Sequence, residues 1–198
     1  MRHRAAFVLV SFLAACGGGG GVNSNEQARR AYLGLDESIS KSLALGFMGY
    51  NAASNANIPA EMTTGDATGT LTVTGHVDQG NPSQVSMGLS VAMAKYSDGK
   101  IAIDDMGKTD DVTYDTDAAA LPSLSLKLNS SAGDTLTGSL DGDYLMSGDL
   151  KGKVTLTLTL SGTFSGTAPN VTRVAGSTTV TGTAVNSAGG TYTINATL

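Results

Sequence analysis

The sequence predicts a mainly β fold: a curved antiparallel sheet or open barrel of about eight strands, with one N-terminal amphipathic helix packed on it. Three observations carry this. Apolar residues recur at helical spacing over about residues 25–50 and switch to strict alternation from about residue 67. Turn residues cut the alternating region into short segments. The chain also holds 26 glycines among its 198 residues, several at strand positions where they permit sharp bends.

The helix begins at Ser24-Asn25-Glu26-Gln27, a capping-box pattern in which serine and glutamine side chains satisfy free backbone amides. Ala28, Tyr32, Leu35, Ile39, Leu43, Phe47 and Tyr50 then form one apolar stripe, with Arg30, Glu37 and Lys41 opposite. Glu37 and Lys41 stand at the i,i+4 spacing of a helical ion pair. Gly49, Asn51 and Pro59 end the pattern. The polar face lacks the Lys/Arg enrichment of a helix lying in a membrane interface, so packing on the sheet is the better reading.

In the β region Leu71, Val73 and Val77 alternate with Thr72, Thr74, His76 and Asp78, and Val85 to Met93 alternate with small or polar residues. Leu124, Leu126 and Leu128 repeat the pattern; Val154, Leu156, Leu158 and Leu160 against Thr155, Thr157 and Thr159 give the clearest strand, and Tyr192 to Leu198 a closing one. One face is apolar and the other a threonine carpet, as in an antiparallel sheet with one side in water. Turns are predicted at Asn81-Pro82, Asp98-Gly99, Ser131–Asp134, Asp141–Asp143, Pro169-Asn170 and Gly189-Gly190. Gly138, Gly152, Gly162 and Gly182 share the parity of apolar neighbours, which predicts strong curvature with the helix across the concave face. Thr72-Val73-Thr74-Gly75 and Thr179-Val180-Thr181-Gly182 are alike, too short to establish a repeat. With no Trp, and only Phe47 and Phe164 as phenylalanines beyond residue 12, the core is expected from Leu, Val, Ile and Met.

Ahead of this domain, Arg2, His3 and Arg4 precede an apolar run from Ala5 to Ala15, about 11 residues and too short to span a bilayer as a helix. Leu13-Ala14-Ala15-Cys16 resembles the lipobox of bacterial lipoproteins. The resemblance implies a signal peptide over 1–15, diacylglycerol attachment at Cys16, and an exported, lipid-anchored mature chain. Two or more acyl chains suffice for stable anchoring at about 0.8 kcal/mol per buried methylene. Gly17, where an inner-membrane retention signal shows Asp, implies the outer membrane. Residues 16–23 then comprise the lipidated cysteine and a Gly-rich tether, Gly17 to Gly21 with Val22 and Asn23, spanning about 15 Å on average. Residues 24–198 form a single helix-plus-β domain.

Losing residues 1–15 removes two of the 12 basic side chains and none of the 17 acids, so the mature charge is about −7. That excludes a basic stripe for nucleic acid and attraction to anionic headgroups. Cys16 is the only cysteine and His76 the only histidine past the signal, so disulfides, a thiol nucleophile and a multi-histidine metal site are excluded. His76 lies on the threonine face and reads as a solvated residue rather than a triad member. Asp104, Asp105, Asp110, Asp111, Asp115 and Asp117 are dense enough to suggest calcium, but their spacing matches no EF-hand loop. Asp141, Gly142, Asp143 and Asp149 fail the same test at Met146. Too few aromatics for two girdles argue against a transmembrane barrel.

The expectation is therefore no enzyme, no cofactor and no catalytic or metal site. The leading reading is a non-catalytic domain of the cell envelope serving structure or protein contacts, facing the periplasm or the outside. The alternative is a carrier or binder of lipid or another apolar ligand, in a greasy cavity lined by Leu71, Val73, Leu156 and Leu158.

Overall fold

A computed structural model describes residues 21–81, 83–103 and 106–198. Residues 1–15, read above as a signal peptide, together with Cys16, Gly17 to Gly20, Pro82, Asp104 and Asp105, lie outside the described residues. The fold is mainly β, as the alternation predicts, with ten strands in one antiparallel sheet that curls into a partial ring.

Helical structure covers α1 (Asn25–Leu33) and α2 (Asp36–Ala52). The single expected helix is interrupted at Gly34 and Leu35, where a side chain on Gly34 would meet the Tyr114 hydroxyl 2.2 Å away. The predicted cap forms: Gln27 N donates to Ser24 Oγ at 3.1 Å. Gln27 Oε1 in turn accepts from Asn23 N at 2.8 Å. From Ala28 to Phe47 the predicted apolar stripe is buried, and Tyr50 is partly so. On α2 the small residues Ser38, Ser42 and Gly46 let the helix sink deep into the sheet; a Cβ on Gly46 would lie 2.8 Å from Met87 Sδ.

The strands are β1 (Asn57–Thr64), β2 (Thr68–Asn81), β3 (Gln84–Ser97), β4 (Ile101–Ala102), β5 (Thr109–Asp110), β6 (Val112–Asp115), β7 (Ser123–Asn129), β8 (Thr135–Gly148), β9 (Gly152–Thr167), β10 (Asn170–Arg173), β11 (Thr179–Asn186) and β12 (Thr191–Thr197). β4 and β5 form a separate small hairpin. β6 and β7 both lie between β3 and β8, and β10 and β11 both pair with β9. The ten strands thus make eight rows, each beside its sequence neighbour; seven of the rows lie in the region expected to hold about eight, and β1 precedes it.

β1 is an addition to the expected strands. Its sequence does not alternate, because Pro59 sits at the bulge between Ile58 and Glu61 and only Ile58 is buried. Such a strand is tolerated at a sheet edge. The predicted turn at Asp141–Asp143 is not one: β8 runs unbroken through it. Thr157 and Thr155 on the neighbouring strand donate to Asp141 and Asp143, so both carboxylates are satisfied within the strand. The turn falls instead at Asp149–Lys151, between β8 and β9.

Gly75 and Gly182, the last residues of the two similar segments, share one geometry. Their φ angles are 141° and 149°, and an added Cβ would lie 2.2 Å from Gly88 O and 2.1 Å from Thr157 O. Only glycine accepts both the angle and the approach, and the two positions bend the sheet.

The alternating apolar residues line the concave side, with α2 against them. Leu71, Val73, Leu156 and Leu158 are 0–2% exposed. Contrary to the expected composition, four tyrosines, Tyr32, Tyr96, Tyr114 and Tyr144, are the largest fully buried side chains. Tyrosine enters a core when its hydroxyl finds a partner. Tyr114 donates to Ala31 O at 2.9 Å, Tyr32 to Asp36 and Tyr96 to Asp98, while the Tyr114 and Tyr144 rings meet edge to face at 6.4 Å.

The ring's end strands, β1 and β12, are not paired with each other. The helices occupy the gap: α2 packs on β1 and β10, and α1 on β12, where Thr193 N donates to Asn25 Oδ1 at 2.9 Å. The meander also has two rims. One carries the turns at 81–84, 129–135 and 167–170; the other carries those at 97–112, 148–152 and 186–191. The chain enters at the second, where Asn186 Nδ2 donates to Val22 O at 2.8 Å. These are the far rim and the entry rim.

Candidate functional site

The densest group of polar side chains lies along the seam where α2 fills the ring. Arg173, on β10, has a side chain only 8% exposed and places Nη1 and Nη2 on the two carboxylate oxygens of Asp36 at 2.8 and 2.7 Å. Its Nε donates to Ser40 Oγ at 3.0 Å. One helical turn on, Lys41 Nζ donates to Asp66 Oδ1 at 2.7 Å, Asp98 Oδ1 at 2.5 Å and Thr64 O at 3.2 Å. The predicted Glu37–Lys41 pair is therefore replaced: the ammonium points to the β1–β2 turn and the end of β3, where two carboxylates and a carbonyl use its three protons. Near the entry rim Arg30 joins Asp110 at 2.6 Å. Both cations of the helix's polar face are thus docked on the sheet, each about 16% exposed.

Burial and partners set the protonation of this seam. Burial lowers the Lys41 pKa, but its hydrogen bonds to Asp66 and Asp98 outweigh that and hold the ammonium above its ordinary value. Burial raises Tyr32 and Tyr96 far above the usual phenol range, reinforced by Asp36 and Asp98 respectively, so both remain hydroxyls. Burial also raises Glu37, with Asp98 and Asp36 adding to the rise and Arg173 and Lys41 opposing it. A pocket of about 330 Å³ opens here between Glu37, Ser40, Lys41 and Arg173, floored by Leu43 and Val171. Its cations already hold carboxylates, so the seam works as a set of latches on α2.

His76 is exposed on the outer face of β2, as its parity predicts. The pairing register sets it in a row with Gly88, Ser125, Ser139, Thr159 and Thr181. This row of short side chains forms a broad, open depression of about 510 Å³.

Among the described residues the acidic side chains that suggested calcium do not converge. Asp110 is spent on Arg30; Asp115 accepts from Lys95 N and Asp117 from Ala119 N. Asp149 accepts from Asp111 N at 2.8 Å. Asp143 is held below the usual carboxylate range by Lys153 and Thr155. Among the described residues no three potential metal ligands gather.

No known protein family, curated protein or solved structure matches this chain. No described helix is long and apolar enough to cross a membrane. The seam's ion pairs lay beyond sequence reasoning, because the only hint was charge on a helix face, and that pattern ordinarily signals solvent. Arg173 stood in a segment with no periodic signal at all.

Proposed function

We propose that this chain is a lipid-anchored bacterial envelope protein whose domain is non-catalytic and serves structure or protein contacts. The observation that carries this reading is the filled ring. The residues expected to line a ligand cavity, Leu71, Val73, Leu156 and Leu158, are instead 0–2% exposed in a packed core, α2 lies against β2, and the seam's ion pairs hold the helix there. Lipid and drug-sized ligands need roughly 300–1,000 Å³ of apolar space, which α2 takes up on the concave side. The seam's acid and base groups are paired with one another, which suits holding a helix rather than moving protons to a substrate. The anchor rests on the lipobox resemblance at Cys16, and the entry of the chain at one rim suits a domain standing end-on above a membrane.

Two measurements test this together. Cells fed an alkyne-tagged fatty acid should label the protein, and Cys16→Ser should abolish the label; persistent labelling or none in the parent protein overturns the anchor. Residues 22–198, secreted and purified without detergent, should yield no stoichiometric lipid on mass spectrometry of an organic extract. One lipid per chain would overturn the contact reading in favour of a carrier.

A further inference from the structure

At the far rim the core opens. Inner-face residues elsewhere are mostly 0–3% exposed, yet Val85, Phe164 and Val171 reach 9, 7 and 7%, and the three surround one recess of about 120 Å³. Phe47 of α2 and Leu128 of β7 form its floor. Its mouth is already shaped: Ser130 N and Oγ donate to Ser83 O at 3.0 and 3.3 Å, and Phe164 N donates to Asp134 O at 2.8 Å, tying three rim segments together. A ligand entering it need not order the mouth, which removes a common cost of binding.

We propose that this recess binds a compact apolar molecule about one aromatic ring in size. A dry apolar cavity of about 150 Å³ accommodates benzene, so a recess of about 120 Å³ that is open at its mouth sits at the lower limit for one ring and is well under the roughly 300 Å³ at which drug-sized pockets begin. Phe47, Phe164, Val85, Leu128 and Val171 offer an apolar ring many contacts, while Ser83, Ser130 and Thr167 add polar groups to the lining. The chain's own anchor is not the occupant. β9 alone separates the rims by 16 residues, roughly 50 Å. A lipid on Cys16 starts five residues before Gly21 at the entry rim, about 17 Å of chain, and one leaflet's acyl length adds about 15 Å.

The test is a titration of methyl-labelled full-length protein in nanodiscs with benzyl alcohol, followed by NMR. Saturable shifts at the Val85, Leu128 and Val171 methyls with a Kd at or below about 1 mM, and Overhauser contacts from the ring to those methyls, are expected. Val85→Phe, which fills the recess, should weaken binding at least tenfold while the remaining methyl spectrum is kept. Linear shifts, or shifts shared equally by Leu71 and Val73, overturn the proposal. So does unchanged binding in a folded Val85→Phe protein; if that variant does not fold, the ring contacts in the parent protein decide. Palmitate competing at the same methyls with equal occupancy would overturn the size limit.

Discussion

Arg173 and Asp36 lie 137 positions apart in the chain and meet through a two-pronged contact, Nη1 to Oδ1 and Nη2 to Oδ2, that pins the first turn of α2 to β10. Breaking a buried pair leaves one charge uncompensated. Arg173→Ala is expected to cost about 3 kcal/mol, lowering Tm by roughly 6–12 °C in a domain of this size. Arg173→Lys keeps the charge but loses the fork, so it should recover only part of the loss. Denaturant titration of both variants measures this, and full recovery by lysine would show that charge alone matters.

Gly182→Ala and Gly75→Ala should each destabilise by about 2 kcal/mol or more, because the facing carbonyl must move and the backbone angle is strained. Gly88, on the outer side of the same sheet, has open space where a Cβ would go. Gly88→Ala should stay within about 0.5 kcal/mol of the parent protein. Chemical denaturation of the three side by side gives the comparison, and equal losses at all three would refute the bend.

Ser42 is 1% exposed on α2, and its hydroxyl has no hydrogen-bond partner. Burying such a group costs free energy, and alanine also favours helix. Ser42→Ala should therefore raise stability by about 1 kcal/mol. A loss would mean that the hydroxyl is satisfied in solution.

Glu37 has a folded-state pKa above its unfolded value, chiefly through burial. Its contribution to stability is present when protonated and is lost as pH rises through the folded pKa. Glu37→Gln should raise Tm slightly at pH 7, and the gain should vanish at a pH below the ordinary carboxyl range, where the parent carboxyl is protonated in both states. A gain that persists at low pH would place its origin outside titration.

Side-chain parity made the sheet legible. Val154 to Leu160 announced both their strand and their face, because a strand half in water must alternate. Parity also placed His76 outside and the Leu71–Val73 pair inside. β1 escaped because an edge strand with Pro59 has little to bury, and Asp141–Asp143 misled because their hydroxyl partners lie 12 and 16 positions away. Tyr114 escaped for a related reason: its acceptor, Ala31 O, lies 83 positions away and is supplied only by the folded chain. Local pattern reports which face is wet, and long-range polar pairing leaves no trace in it.

The gap in the partial ring is filled by contact between the domain's first helix and the last strand of the meander. Each row of the meander can zip onto the one just made, but α1 meets β12, so the helical segment must wait for the last strand of the meander. Its apolar stripe, from Ala28 to Phe47, is meanwhile a lure for chaperones or for premature partners. Closure between those distant segments is expected to be the slow step of maturation.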